Sequence, residues 1–113
     1  MSILTRDEIL KAIDRGEIKI DPFTPQAVGP ASVDLRLDRK FRVFRKLHKV
    51  YDVVEAANYE EVTDYIEVDD KFLLLPGESV LGITTEKITL APDICGWLEG
   101  RSRFARIGLA VHV

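Results

Sequence analysis

Cysteine occurs once in the 113-residue sequence, at Cys95, which excludes an internal disulfide and any metal site built from several thiolates of one chain. The apolar neighbours of Cys95 in PDICGW mark it as a small buried filler. No apolar run approaches the roughly 20 residues needed to span a bilayer, and MSILTRDEIL lacks the basic and apolar regions of a secretory signal. The expectation is a cytoplasmic protein with no membrane contact. Basic residues are not in excess: 16 Lys and Arg stand against 19 Asp and Glu, a formal net charge of -3. That balance argues against a nucleic-acid surface, which carries a net basic footprint. Aromatics make up 8% of the chain, and Phe104 and Trp97, read as core residues, do not supply the exposed stacking row of a single-strand binder. The two best-known phosphate loops, G-x-x-x-x-G-K-[ST] and G-x-G-x-x-G after a strand, are also missing.

What is present suits one domain over residues 1–113, with 46% hydrophobic and 31% charged residues. Thr5 followed by Glu8 predicts a capping box, Ile9, Leu10 and Ile13 fall on one helical face, and Gly16 is placed to end that helix. Pro22, Pro25, Gly29 and Pro30 then impose an extended, turning path. In ASVDLRLDRKFRVF the alternation of Val33, Leu35 and Leu37 with Ser32, Asp34, Arg36 and Asp38 predicts a half-buried strand, which Phe41 and Val43 extend.

Residues 45–71 are charge-rich and read as an insertion-like connection with short strands or one helical turn around VVEAANYEE. His48, between two lysines, reads as solvated, with no second metal ligand at a suitable spacing. Phe72 to Leu75 is stopped by Pro76-Gly77, a strand follows through Val80, Gly82 and Thr84, another carries Ile88 and Leu90, and Pro92-Asp93 turns the chain again. Short strands divided by Pro and Gly, after one helix, predict an all-β sandwich or barrel.

Against this background GRSRFARIG gathers Arg101, Arg103 and Arg106 within six residues of an acidic chain. Guanidinium offers paired donors in a fixed plane and suits phosphate; Ser102 adds a compact hydroxyl, and Gly100 admits close backbone approach. On residue type alone an anion site and a solvated patch paired with acids such as Glu99 stay equally open. A Ser102–His112–Asp triad can be written but lacks the nucleophile-elbow pattern. The zinc deaminase signature cannot be written with one cysteine.

PGESVLGITTEKITLAPDICGWLEGRSRFARIGLAVHV resembles the dCTP deaminase branch of the dUTPase superfamily, whose hallmark is a G-R-S-S-x-A-R-x-G-L-type segment leading into V-H. GPASVDLRL resembles that family's first motif, and ILTRDEILKAIDRGEIKIDPF its N-terminal helix and following strand. The resemblance covers the chain except for residues 45–71. It implies a mainly β fold, a distorted dUTPase-like β-barrel or jelly-roll with an N-terminal α-helix, assembled as a homotrimer with sites at subunit interfaces.

The implied reaction is hydrolytic deamination of dCTP to dUTP and ammonia, without zinc and with Mg2+ accompanying the triphosphate; some members continue to dUMP and pyrophosphate. By resemblance Arg101 contacts the triphosphate, Ser102 places water and pyrimidine, and Arg106 orients a catalytic glutamate. Arg103 stands where the family has a second, phosphate-facing serine. The family's glutamate has no counterpart in these 113 residues, and the expectation is a fragment of a longer enzyme. Three readings stand beside the dUTP-forming deaminase: a bifunctional deaminase and diphosphatase, a plain dUTPase, and a noncatalytic nucleotide-binding or assembly module.

Overall fold

The computed structural model describes residues 2–112. It opens with helix α1, Arg6–Asp14, entered from Thr5 in an extended conformation. The expected capping box does not form: the Thr5 side chain makes no cap hydrogen bond, and Glu8 turns to Lys11 at 3.5 Å. Asp7 and Glu8 in the first turn still complement the positive end of the helix dipole. The other end closes as the sequence implies. Gly16 has φ 75°, its N–H donates to the Ile13 carbonyl at 3.0 Å, and the Glu17 N–H donates to the Ala12 carbonyl at 2.9 Å. This Schellman closure needs a left-handed residue, which glycine supplies at little cost. Ile9 and Ala12 are buried, with Leu10 and Ile13 half-buried beside them.

The chain then enters β1, Ile18–Asp21, which pairs antiparallel with β5, Lys87–Leu90, placing Ile18 opposite Leu90. A second antiparallel sheet has β2, Leu37–Phe44, at its centre, between β3, Thr63–Glu67, and β4, Val80–Thr84. Phe41 is buried there, its ring 4.6 Å from that of Phe72 and its backbone opposite Gly82. A Cβ at Gly82 would stand 2.9 Å from Leu37 Cδ1 and 3.5 Å from the Phe41 ring. The glycine therefore makes room for the Leu37 side chain, while the Phe41 ring would be met only at ordinary contact distance.

Among the described residues the five strands form these two open sheets and do not close a barrel. The mainly β class with an N-terminal helix agrees with the sequence reading and is consistent with a dUTPase-like fold. The strand expected over Ser32 to Asp38 begins only at Leu37, which is itself 66% exposed. Backbone partners explain the shift. Gly29 N–H donates to the Ser32 carbonyl at 2.8 Å, Asp34 N–H to the Ala27 carbonyl at 2.8 Å, and Val28 bridges Val33. Arg36 gives its own N–H to the Glu86 carboxylate and its carbonyl to Thr85 N–H. Residues 27–36 thus direct these backbone groups to a tight turn and a crossing instead of a regular ladder.

Helix α1 holds that turn from outside. The Arg6 guanidinium donates to the Val28 and Pro25 carbonyls, and Arg6 N–H donates to the Pro30 carbonyl at 2.9 Å. Residues 45–71 contain the expected mixture, a 3-10 turn at Tyr59–Glu61 followed by β3. Tyr51 fastens this excursion: its hydroxyl donates to Glu61 Oε2 at 2.9 Å and accepts from Asn58 N–H at 3.1 Å.

The molecule is open for its mass. Its accessible surface is 9729 Å², where a compact monomer of this size exposes about 6,300 Å². Its radius of gyration is 17.1 Å, against about 13 Å for a compact chain of this length. Exposed apolar side chains occur both before β5, as at Val50 and Val53, and beyond it. Trp97 is 81% exposed, Ile107 79% and Phe104 39%, and Cys95 is exposed. The readings of Cys95, Trp97 and Phe104 as buried core are therefore corrected. Their segment pairs with no strand among the described residues, and Trp97 and Ile107 stand largely exposed there.

Candidate functional site

The arginine-rich segment folds as one helical turn. Arg101 is extended at the N-cap of α2, Ser102–Ala105, and Arg106 N–H donates to the Ser102 carbonyl at 3.0 Å. Helical spacing puts Ser102 and Arg106 on the same face, one turn apart. A second Schellman closure ends the turn: Gly108 has φ 90°, its N–H donates to the Ala105 carbonyl at 3.0 Å, and Leu109 N–H donates to the Phe104 carbonyl at 3.0 Å. Where the two flanks of the turn meet, a Cβ on Gly100 would lie 3.2 Å from Val111 Cβ and 3.3 Å from Val111 N. Only glycine allows that approach without displacement.

Arg101, Ser102, Arg103 and Arg106 are all exposed. They differ in what they touch. Arg101 Nη1 lies 3.5 Å from Asp34 Oδ2, both side chains being 56% exposed. The guanidinium of Arg103 lies 5.8 Å from the centre of the Phe104 ring, within cation–π range. Among the described residues no ion pair forms at Arg106. The solvated-patch alternative anticipated pairing with Glu99 and other acids; the acid that Arg101 meets is Asp34, 67 positions away in sequence, and both side chains are exposed.

Asp34 belongs to a segment fixed on both sides. Its N–H is bound to Ala27, and two residues on, Arg36 is bound to Glu86 through Nε–Oε1 at 2.8 Å and N–Oε2 at 2.9 Å. Glu86, in the β4–β5 turn, is buried. Burial pushes its carboxyl up, but the hydrogen bonds from Arg36 outweigh that and hold it below the usual carboxylate range. Val33, Asp34, Arg36 and Glu86 border a groove of about 140 Å³ with Ile20 and Phe23. Sequence reasoning placed Asp34 only in the outward row of a strand. A clue lay in its position within the first motif, but its pairing with Arg101 depends on the fold.

Chemically, the turn presents three guanidinium groups and a hydroxyl to solvent against one nearby carboxylate. This set suits the oxygens of a phosphate chain. It does not suit Mg2+ as a ligand set, because guanidinium does not ligate cations and Asp34 already faces one. Among the described residues no group of three or more His, Cys, Asp or Glu is gathered for a metal. No helix among them is long and apolar enough to cross a membrane.

The fold and site define a mainly β domain with an N-terminal helix and an exposed arginine–serine turn that meets Asp34. A family model described as dCTP deaminase-like matches residues 3–113, and the chain belongs to that family. It is 44% identical over 112 residues to a Corynebacterium efficiens protein named "dCTP deaminase, dUMP-forming", covering 97% of this chain and 58% of the relative. Relatives of the same name from Kocuria rhizophila and Parafrankia sp. are 46% and 42% identical, over 99% and 97% of this chain and 58% and 55% of theirs. The chain thus spans a little over half the length of these curated relatives.

Proposed function

We propose that the protein is a dCTP deaminase of the dUMP-forming kind, in which residues 1–113 supply the phosphate-holding and water-placing part of the site. In this reading dCTP and water give dUTP and ammonia, and a second water cleaves dUTP to dUMP and pyrophosphate. The relatives' names carry dUMP as product, which favours the bifunctional alternative over the dUTP-forming enzyme that the sequence put first. The single observation that carries the proposal is the exposed Arg101–Arg106 turn inside a family match that runs from residue 3 to residue 113.

Arg101 would grip phosphate oxygens through paired donors, and the in-plane N–H groups of Arg103 would add to that charge. Ser102 would hold the attacking water or the pyrimidine, one helical turn from Arg106. Arg106 would fix the direction of a carboxylate base contributed from outside these residues, since an oriented base transfers a proton more effectively than a mobile one. Mg2+ would travel with the triphosphate, carried by its phosphate oxygens and water. The uncovered apolar face around Trp97 and Ile107 supports assembly, for which a homotrimer is the arrangement we propose.

The test is product analysis of the full-length protein supplied with dCTP and Mg2+. Ammonia released together with dUMP supports the reading. Accumulation of dUTP would return the product to the dUTP-forming alternative, and absence of ammonia would defeat the deaminase assignment.

A further inference from the structure

We infer that Asp34 is a positioning residue for Arg101, fixing the direction in which its guanidinium meets the substrate's phosphates. The inference rests on the proposed nucleotide reading of the Gly100–Gly108 turn. Its observation is the contact between Asp34 Oδ2 and Arg101 Nη1 at 3.5 Å, which joins two distant motifs.

The pair has little to do with stability. Both side chains are 56% exposed, and ion pairs in that setting contribute little to folding. The backbone on either side of Asp34 is hydrogen-bonded to other parts of the fold. On one side Asp34 N–H donates to Ala27, in a turn that Gly29, Ser32, Val28 and Val33 close and Arg6 ties to α1. On the other side Arg36 is held twice by the buried Glu86. Asp34 thus carries a short carboxylate on a backbone held from both sides, facing a long, rotatable side chain. One contact at Nη1 restricts the Arg101 rotamers and leaves Nε and Nη2 to make a paired contact with a phosphate. Ordering the arginine beforehand lowers what binding must spend on it.

Charge counting predicts the opposite. A carboxylate beside an anion site repels the anion, so its removal should tighten binding. The two views therefore differ in the sign of the effect.

The experiment uses the full-length protein. Binding of dCTP with Mg2+, and of inorganic tripolyphosphate as a base-free probe, is measured by calorimetry for the unaltered protein, Asp34→Asn, Asp34→Ala, Arg101→Ala and the double variant Asp34→Ala/Arg101→Ala. The kinetic split is recorded alongside. Positioning predicts that Asp34→Ala weakens both ligands about tenfold and raises KM, with kcat changed less than threefold. Asp34→Asn, which keeps the shape and one acceptor, should fall between. In the Arg101→Ala background the Asp34 change should cost nothing further. Unchanged or tighter binding in Asp34→Ala overturns the inference, as does a penalty that persists without Arg101. If the unaltered protein binds neither ligand, the nucleotide reading itself is lost, a result separable from loss of the Asp34 role alone. Should Asp34→Ala fail to fold, Asp34→Asn carries the same comparison.

Discussion

Arg36 and Glu86 are joined twice, guanidinium Nε to Oε1 at 2.8 Å and backbone N–H to Oε2 at 2.9 Å, across 50 residues of sequence. The carboxylate is buried while the guanidinium reaches solvent. Truncating the acid would leave the Arg36 N–H without its partner, at a cost of about 1–3 kcal/mol. Glu86→Ala should therefore lower the urea midpoint of the full-length protein. An unchanged midpoint would show that water replaces the carboxylate.

The same pair gives a pH dependence of definite sign. Desolvation raises the Glu86 carboxyl, but the Arg36 hydrogen bonds bring its folded-state value below the unfolded one. Its contribution is then present in full above the unfolded value, near pH 4.3, and is lost as pH falls through the lowered folded value. Urea midpoints taken at successive pH values should drop on acidification, and Glu86→Gln should flatten that drop.

Arg6→Ala tests the support of the 25–34 turn. Loss of the donors to the Val28 and Pro25 carbonyls should destabilise the protein by about 1–2 kcal/mol, read as a lower thermal midpoint. Amide exchange should quicken at Gly29 and Asp34, whose N–H groups close the turn. If exchange there is unaltered, the turn stands without α1.

Within the proposed reaction, Arg101→Ala and Ser102→Ala should separate binding from turnover. The first removes a phosphate fork and should raise KM for dCTP at least tenfold. The second removes the hydroxyl that places water and should lower kcat by about 10²-fold. Steady-state ammonia release distinguishes the two, and equal effects on both constants would contradict the division of labour.

Trp97 is the single tryptophan, and it is 81% exposed in the isolated chain. If its face lies in the assembly, emission from the full-length protein should shift to the blue as concentration rises through association. Trp97→Glu should leave a smaller species in sedimentation. A trimer whose Trp97 emission stays solvent-like would remove this face from the interface.

Local signals carried much of the fold into the sequence. The left-handed closure at Gly16, the Pro76-Gly77 turn and strands β4 and β5 all depend on near neighbours and were readable there. The start of β2 was not, because residues 33–36 answer to Ala27, Thr85 and Glu86, and alternation cannot distinguish those partners from a ladder. The burial of Trp97, Phe104 and Cys95 was misjudged for a related reason: apolar character says that a face seeks cover, not that these residues provide it. In the site, Arg101, Ser102, Arg103 and Arg106 stood out by type and spacing. Asp34 required the tertiary structure, since its partner lies four strands further along the chain.

The β1–β5 pairing has a consequence for how the protein comes to be competent. Ile18 meets Leu90, and Ala91 N–H reaches the Glu17 carbonyl, so the smaller sheet forms only when nearly the whole intervening chain has been gathered in. Contacts of such sequence separation are slow to find. The pairing of β2 with β3 closes a shorter stretch of chain and can arise earlier, but Arg36 must then reach Glu86 and Asp34 must face a turn that leaves the smaller sheet after β5. A newly made chain would therefore acquire helix α1 and the β2–β3 pairing before the Arg101 turn is set against Asp34, and in the proposed reading nucleotide should favour the last step of folding over the first.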